Sequence, residues 1–224
     1  MLMKTIAHIR TDFATKFGIP RQSGMIEGLK GTIVFEPQFR NGDALRGLEA
    51  YSHIWLIWEF SETMRDEWSP MVRPPRLGGN KRVGVFATRS PFRPNPIALS
   101  CLKLEQIEMH TPEGPLLHVS GADMMDGSPI YDIKPYIVFA DCHPDATGGL
   151  INAKADQMLH VHFPEALLIR ISDDKREVLQ LILSGDPRPS YQDDPERVYG
   201  LSYAGYDIRF MVAGNDLAVV DVII

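Results

Sequence analysis

The chain has only two cysteines among its 224 residues, Cys101 and Cys142, and they stand far apart with no C-x-x-C or zinc-type spacing. That argues against a disulfide scaffold and against a structural zinc site, and predicts two idle thiols in a reducing compartment. No apolar run is long enough for a membrane span. The first ten residues carry charge at both ends and lack the apolar centre of a secretory leader. The reading is a soluble, cytoplasmic protein without a membrane partner. The net charge of −6 argues against nonspecific coating of nucleic acid, though not against one specific RNA met by a local basic surface. The sequence also lacks G-x-G-x-x-G between a strand and a helix, a P-loop, H-E-x-x-H and a nucleophile elbow. Rossmann dinucleotide binding, P-loop phosphoryl transfer, zincin chemistry and α/β-hydrolase chemistry lose their usual markers.

What the chain does have is Gly84-Val-Phe-Ala-Thr-Arg-Ser-Pro-Phe-Arg-Pro-Asn-Pro-Ile97. An apolar run leads into a loop in which Pro91, Pro94 and Pro96 fix three φ angles and remove three donors. Each also drives its predecessor toward extended backbone. Such a loop loses little entropy on ordering. It can hold Arg89, Arg93 and the Asn95 amide rigidly, as recognition of phosphate, carboxylate or base edges requires. Upstream lies Val72-Arg-Pro-Pro-Arg-Leu-Gly-Gly-Asn-Lys-Arg82. Between Arg65 and Arg93 stand seven basic residues, among them Arg73, Arg76, Lys81 and Arg82, against only Asp66 and Glu67. A basic window in an acidic chain is a directed electrostatic feature, suited to binding a polyanionic substrate.

The first part of the chain reads as strands at short spacing: Thr32–Phe35, Ser52–Phe60, Val83–Ala87, Ile97–Ile107, Leu116–Val119 and Ile130–Phe139. Asp43 caps a short helix ending near Gly47. Ser52–Phe60 is rich in aromatic and branched residues, and predicts a strand buried on both faces. Gly- and Pro-marked turns between so many strands indicate a barrel or a sandwich. After about residue 142 the composition changes. Met158–Ile171 has strand character, Ser172–Ser184 reads as a helix capped by Ser172 and stopped by Gly185, and Tyr206–Val212 with Leu217–Ile224 form a hairpin. The fold class is mainly β: an N-terminal β domain over 1–142 and a small α+β domain over 143–224.

Other residues are candidates for chemistry. His160 and His162 share a strand face, but without a third ligand they predict no metal site. Met124-Met-Asp-Gly-Ser-Pro129 contains a tight turn at Asp126-Gly127, which serves either as a plain turn or as a grip on a small molecule. Asp132 and Lys134 share a face two residues apart. Gly18-Ile-Pro-Arg-Gln-Ser-Gly24 is a third stiff segment, with polar tips at Arg21 and Gln22.

Taken together, Ile19–Gln22, Ala44–Glu49, Arg73–Asn80, Gly84–Ser90, Phe92–Ile97, Asp126–Pro129, Asp132–Tyr136 and Gly185–Tyr191 resemble, in order, the TsaA-like/TrmO family of bacterial tRNA (adenine-37-N6)-methyltransferases. The resemblance implies a β-barrel that binds S-adenosyl-L-methionine, a homodimer, and a substrate in the anticodon loop of threonine tRNA, where N6-threonylcarbamoyladenosine at position 37 gains an N6-methyl group. By position, it implies cofactor contacts at Pro20, Arg21, Gln22, Ser61, Glu62, Arg89, Leu102, Met124, Met125, Asp126 and Gly127. Relatives carry His-Gln where this chain has Ser61-Glu62. Arg93, Asn95 and Tyr136 match recurring motif positions.

On that reading Arg89, Arg93, Asp126 and Tyr136 are the catalytic group. Positioning for in-line displacement supplies the rate. The sulfonium loses its charge during transfer, so an anion against sulfur would favour the ground state. Asp126 is therefore assigned to the ribose or amino-acid portion. The N6 proton passes to Asp126 or to an ordered water. Arg89 or Arg93 grips the threonyl carboxylate, and Tyr136 or Phe92 stacks on the base. Arg73, Arg76, Lys81 and Arg82 hold the tRNA backbone, while Arg188 and Tyr191 of the C-terminal domain place the RNA and leave cofactor binding to the barrel. Two other classes fit the same residues: a noncatalytic nucleoside-sensing barrel, and an RNA-binding module without methylation.

Overall fold

The computed structural model describes residues 3–63, 68–74, 81–148, 158–188, 192 and 194–224. Residues alternating apolar and polar at period two build the first half: β1 (Ala7–Thr11), β2 (Lys30–Phe35), β3 (His53–Glu59), β4 (Met71–Val72), β5 (Val83–Gly84), β6 (Ile97–Glu108), β7 (Leu116–Ser120) and β8 (Pro129–Pro135). Six of these close into an antiparallel barrel in the order β1-β2-β7-β6-β3-β8, which leaves none of the six at an open edge. Ile9, Ile33, Ile54, Leu56, Leu102, Leu117, Met124 and Ile130 point inward and are fully buried. The short β4–β5 ladder stands apart from the barrel.

Several elements differ from the sequence reading. In β3 only Ile54, Leu56 and Trp58 are buried, because a closed barrel has a single interior face and the alternate residues point outward. The strand expected over Val83–Ala87 stops at Gly84. Val85 N–H donates to the Pro70 carbonyl at 2.9 Å, and Thr88 donates from both N–H and Oγ1 to the Val85 carbonyl at 3.1 and 2.8 Å, which closes a 3-10 turn over Val85–Ala87. The last strand ends at Pro135, and Val138–Asp141 forms a helical turn, α1. The Asp141 carboxylate fixes that turn by accepting from Ile137 N–H at 2.8 Å and Trp55 Nε1 at 3.0 Å. The short strand β1, with Ala7 and Ile9 inward, was not anticipated.

In the second half, Met158–Ile171 is strand only over β9 (His160–His162). The helical turn α2 (Glu165–Leu168) follows Pro164, which has no N–H to continue a ladder. His162 pairs with Asp216 at 3.0 Å. Helix α3 (Asp173–Ser184) matches expectation in position, and buries Val178, Leu179, Ile182 and Leu183. The Ser172 side chain makes no capping bond, and Asp173 instead pairs with Arg176 at 2.5 Å. Strands β10 (Tyr199–Tyr203), β11 (Tyr206–Ala213) and β12 (Asp216–Ile223) complete a sheet in the order β10-β11-β12-β9, and only β10 was unforeseen. No helix among the described residues is long and apolar enough to cross a membrane.

One barrel connection belongs to this second core. Phe13 and Leu29, from the segment between β1 and β2, are buried with Leu179, Leu201, Tyr203 and Phe210, and Phe17, Ile19 and Ile26 pack against them. The Lys175 ammonium lies 2.5 Å from the Asp12 carboxylate, and Ala204 N–H donates to the Asp12 carbonyl at 2.8 Å. Gly18 has φ of +86°, and a Cβ there would lie 2.1 Å from Leu201 Cδ1. Only glycine permits both this turn and this close approach.

Candidate active site

Strand direction gathers most of the candidate residues at one end of the barrel. The register places the ends of β1, β3 and β7 beside the starts of β2, β6 and β8. That rim therefore carries the 12–29 connection, the residues after Glu59, the loop before Ile97, and the turn between Ser120 and Pro129. Pro20, Arg21, Gln22, Ser61, Glu62, Arg89, Arg93, Asn95 and Met124 to Gly127 all lie on these four segments.

The rim segments are bonded to one another. Arg89 Nη1 donates to Gln22 Oε1, joining the proline-rich loop to the 19–24 segment. Toward its start, β6 has no β7 partner before Lys103. There Cys101 N–H donates to Ser23 Oγ at 3.1 Å, and Gly24 N–H donates to the Gly121 carbonyl at 2.9 Å. Residues 22–24 thus fill the gap between β6 and β7. Phe60 N–H donates to the Pro96 carbonyl at 2.9 Å, which places the exposed Ser61 and Glu62 beside the loop of Arg93 and Asn95.

The individual roles sort differently from expectation. Arg93 Nη1 donates to the Thr88 carbonyl at 2.9 Å and the Ser90 carbonyl at 3.4 Å. It braces its own loop, which leaves Arg89 as the exposed guanidinium beside Gln22. Asp126 Oδ1 accepts from Thr11 N–H at 3.0 Å, Asp126 N–H donates to the Phe13 carbonyl at 2.8 Å, and Gly127, at φ of +76°, donates to the Ile9 carbonyl at 2.8 Å. The turn is therefore stitched to β1. Asp126 and Gly127 line a cavity of about 300 Å³ with Arg10, Arg40 and Glu113, not the gap at Ser23. Met124 and Leu102 are inside the barrel core, a packing role. Leu99, outward on the same strand and 49% exposed, is an apolar side chain open to a ligand.

Tyr136 lies away from the Asp126 turn, on the side of Trp55, the register partner of Cys101. It follows the far end of β8, roughly 20 Å along that strand from the Asp126 turn, and packs on Trp55 and His53 with ring centroids 5.8 and 6.2 Å apart. Burial against these neighbours raises the phenol's pKa. Arg188 is corrected as well. It is 9% exposed, and its Nε and Nη2 meet Asp186 Oδ1 and Oδ2 at 2.9 and 3.0 Å, so it is not the openly presented cation the sequence reading expected. Arg73, Lys81 and Arg82 are exposed. Arg76 and Tyr191 lie outside the described residues.

The sequence reading missed Asp123. Its partly buried carboxylate accepts from Ser100 Oγ at 2.6 Å, and Ser100 accepts from Trp58 Nε1 at 2.9 Å. The main-chain N–H groups of Asp123 and Ser23 also face it, as does the Arg89 charge. Burial outweighs these stabilising groups and pushes its pKa up to about 6. The only hint in the sequence was a second carboxylate three residues before the Asp-Gly turn. Chemically, the rim offers the exposed Arg89 and Arg21 guanidiniums, the Gln22 and Asn95 amides, a strip of main chain and an apolar neighbour.

Known proteins resemble this chain in sequence and fold. Residues 8–142 match the tRNA-methyltransferase O N-terminal domain, and residues 156–223 the TrmO C-terminal domain. A tRNA (adenine(37)-N6)-methyltransferase of Escherichia coli K12 is 37% identical over 215 residues, covering 92% of this chain and 91% of that protein. A protein of Pyrococcus abyssi named a probable S-adenosyl-L-methionine-binding protein is 34% identical over 155 residues, 69% of this chain and 78% of its own length. The crystal structure of TrmO from Pseudomonas aeruginosa superposes with a TM-score of 0.78 at 31% identity, covering 100% of this chain and 98% of that one. With both domain models matched in order and relatives similar over most of its length, the chain belongs to the TrmO family of tRNA methyltransferases.

Proposed function

We propose that this protein transfers the methyl group of S-adenosyl-L-methionine to N6 of threonylcarbamoyladenosine at position 37, in the anticodon loop of a threonine tRNA. The observation that carries the reading is the Arg89–Gln22 bond at the barrel rim, next to exposed basic residues at 73, 81 and 82. The family relatives' names support the methyltransferase class and the cofactor. The residues suit that cofactor: Arg89 matches its carboxylate, Gln22 and the main chain near Ser23 match its amino-acid or ribose hydroxyl groups, and exposed Leu99 matches a flat base. Pro20 and Arg21 shape the same loop, and Ser61 and Glu62 close its side. When bound, the cofactor supplies an electrophilic methyl on a sulfonium. The chain's part is to orient donor and acceptor and to exclude water from the rim beside residues 22–24.

The division of the chain near residue 142 fits this assignment, with the barrel carrying the rim and the second domain supporting the 12–29 connection from below. Phe86, Val138 and Phe139 are 73%, 70% and 91% exposed. Apolar groups this prominent suit the contact of a homodimer, which light scattering would read directly. A cytoplasmic location follows from the tRNA substrate.

Nuclease digestion and mass spectrometry of reacted tRNA test the assignment by locating the methyl group, which is expected on nucleoside 37 alone. For docking, Lys81→Glu with Arg82→Glu is expected to weaken tRNA binding about tenfold or more, and to lower the salt slope by about one per lost phosphate contact. Cofactor affinity should stay near wild type in the same variant. Unchanged tRNA affinity and slope would place the docking surface elsewhere.

A further inference from the structure

The mechanism above leaves one carboxylate unused at the centre of the rim. We propose that Asp123 is the positioning residue of the cofactor pocket, holding Arg89 and the Ser23 main chain in place while the Trp58–Ser100 pair fixes its carboxylate from inside the barrel. This inference rests on the cofactor-site reading above. One strand bonds this side chain directly, and two further elements stand behind or beside that contact. Ser100 on β6 donates to it at 2.6 Å and is itself held by Trp58 on β3 at 2.9 Å. The segment carrying Gln22 and Ser23 is fastened on both sides, by Cys101 N–H to Ser23 Oγ at 3.1 Å and by Gly24 N–H to the Gly121 carbonyl at 2.9 Å. Arg89, which donates to Gln22, is the charged group that faces the carboxylate, while Ser100 and two main-chain N–H groups are the neutral ones. A charge held inside the barrel mouth orients a guanidinium that must itself stay exposed to a ligand. Asp126, tied to Thr11, cannot do this.

The arrangement has a pH signature. Burial lifts the Asp123 pKa to about 6. As pH falls through that value the carboxylate is neutralised and its hold on Arg89 is lost, so cofactor affinity falls between about pH 7 and pH 5. Stability has the opposite sign. A carboxyl whose folded pKa lies above its unfolded value lowers stability as pH rises from about 4 to about 6. The buried charge therefore serves function at a cost to folding.

The experiment is a calorimetric titration of the full-length protein with S-adenosyl-L-methionine from pH 5.5 to 8, alongside thermal unfolding, on wild type, Asp123→Asn, Ser100→Ala and Arg89→Ala. Asp123→Asn is expected to bind about tenfold or more weakly at pH 7.5, with a flat pH profile and no loss of thermal stability. Ser100→Ala removes a bond that stabilises the carboxylate, so it should move the midpoint of the affinity profile to higher pH. Wild-type affinity and pH dependence in Asp123→Asn, with binding lost in Arg89→Ala, would overturn the inference and leave the site reading standing. Wild-type binding in Arg89→Ala as well would sink the site reading itself. Should Asp123→Asn fail to fold, the Ser100→Ala profile decides, and an unshifted midpoint would refute the proposal.

Discussion

Arg89→Ala is expected to reduce cofactor affinity by roughly 10- to 150-fold, the equivalent of about 1.5–3 kcal/mol for lost charge-assisted hydrogen bonds, and to reduce methyl transfer to tRNA at least as much. The side chain is exposed, so its removal opens no cavity. Its partner Gln22 keeps a second contact, donating Nε2 to the Arg21 carbonyl. Thermal stability should therefore stay within about 0.5 kcal/mol of wild type. Binding calorimetry, single-turnover transfer and circular dichroism on one preparation separate the effects. Near-normal turnover with a normal fold would remove Arg89 from the site. Arg93→Ala makes the instructive contrast. Its guanidinium braces the carbonyls of Thr88 and Ser90, so its loss should act through the loop and be partly rescued by lysine.

Phe13→Ala is expected to destabilise the whole protein by about 3–5 kcal/mol, the usual cost of deleting a fully buried ring. Phe13 is 1% exposed and lies 5.4 Å from the Tyr203 ring, in the core of the second domain. For a chain of this length each kcal/mol lowers the melting midpoint by roughly 2–4 °C, so calorimetry should show a fall of about 10 °C. Cofactor binding should weaken with it, because Ile19, adjacent to Pro20, packs against the same core. This reverses the expectation that the barrel binds cofactor without help from the C-terminal domain. A chain ended at Asp141 would expose Phe13 and Leu29 and lose the Lys175–Asp12 pair. It should bind cofactor poorly or not at all. A melting midpoint within 2 °C of wild type for Phe13→Ala, at the per-kcal slope above, would mean that the two cores are not coupled through this ring.

The barrel was legible because alternation and turn residues are local properties. Ile54, Leu56 and Trp58 recur at period two, and Leu116 to Ser120 sit between turns. Part of what was misjudged depended on partners distant in sequence. Val85–Ala87 looks extended until the Pro70 carbonyl captures Val85 N–H. Val138 and Phe139 read as strand, yet Asp141 holds them in a helical turn. The rim residues Pro20 to Gln22 and Arg89 came from motif resemblance, and the register shows why such separate segments belong to one place. Asp126 and Asp123 could not be ranked from sequence. Asp126 sits in the conspicuous Asp-Gly turn, while Asp123 gains its partners only when β6, β3 and the 22–24 segment meet. Arg188 looked like a presented cation, although the Asp186 that takes its guanidinium stands only two residues away; its burial is what the sequence did not show.

The central claim is methylation of a modified adenosine in tRNA. The most direct measurement follows labelled methyl from S-adenosyl-L-methionine into two tRNA pools, one carrying N6-threonylcarbamoyladenosine at position 37 and one prepared without it. The account predicts label in the modified pool alone, recovered as the N6-methyl derivative of that nucleoside and lost with Arg89→Ala. Equal labelling of both pools, label at another nucleoside, or no transfer by the well-folded protein would contradict it.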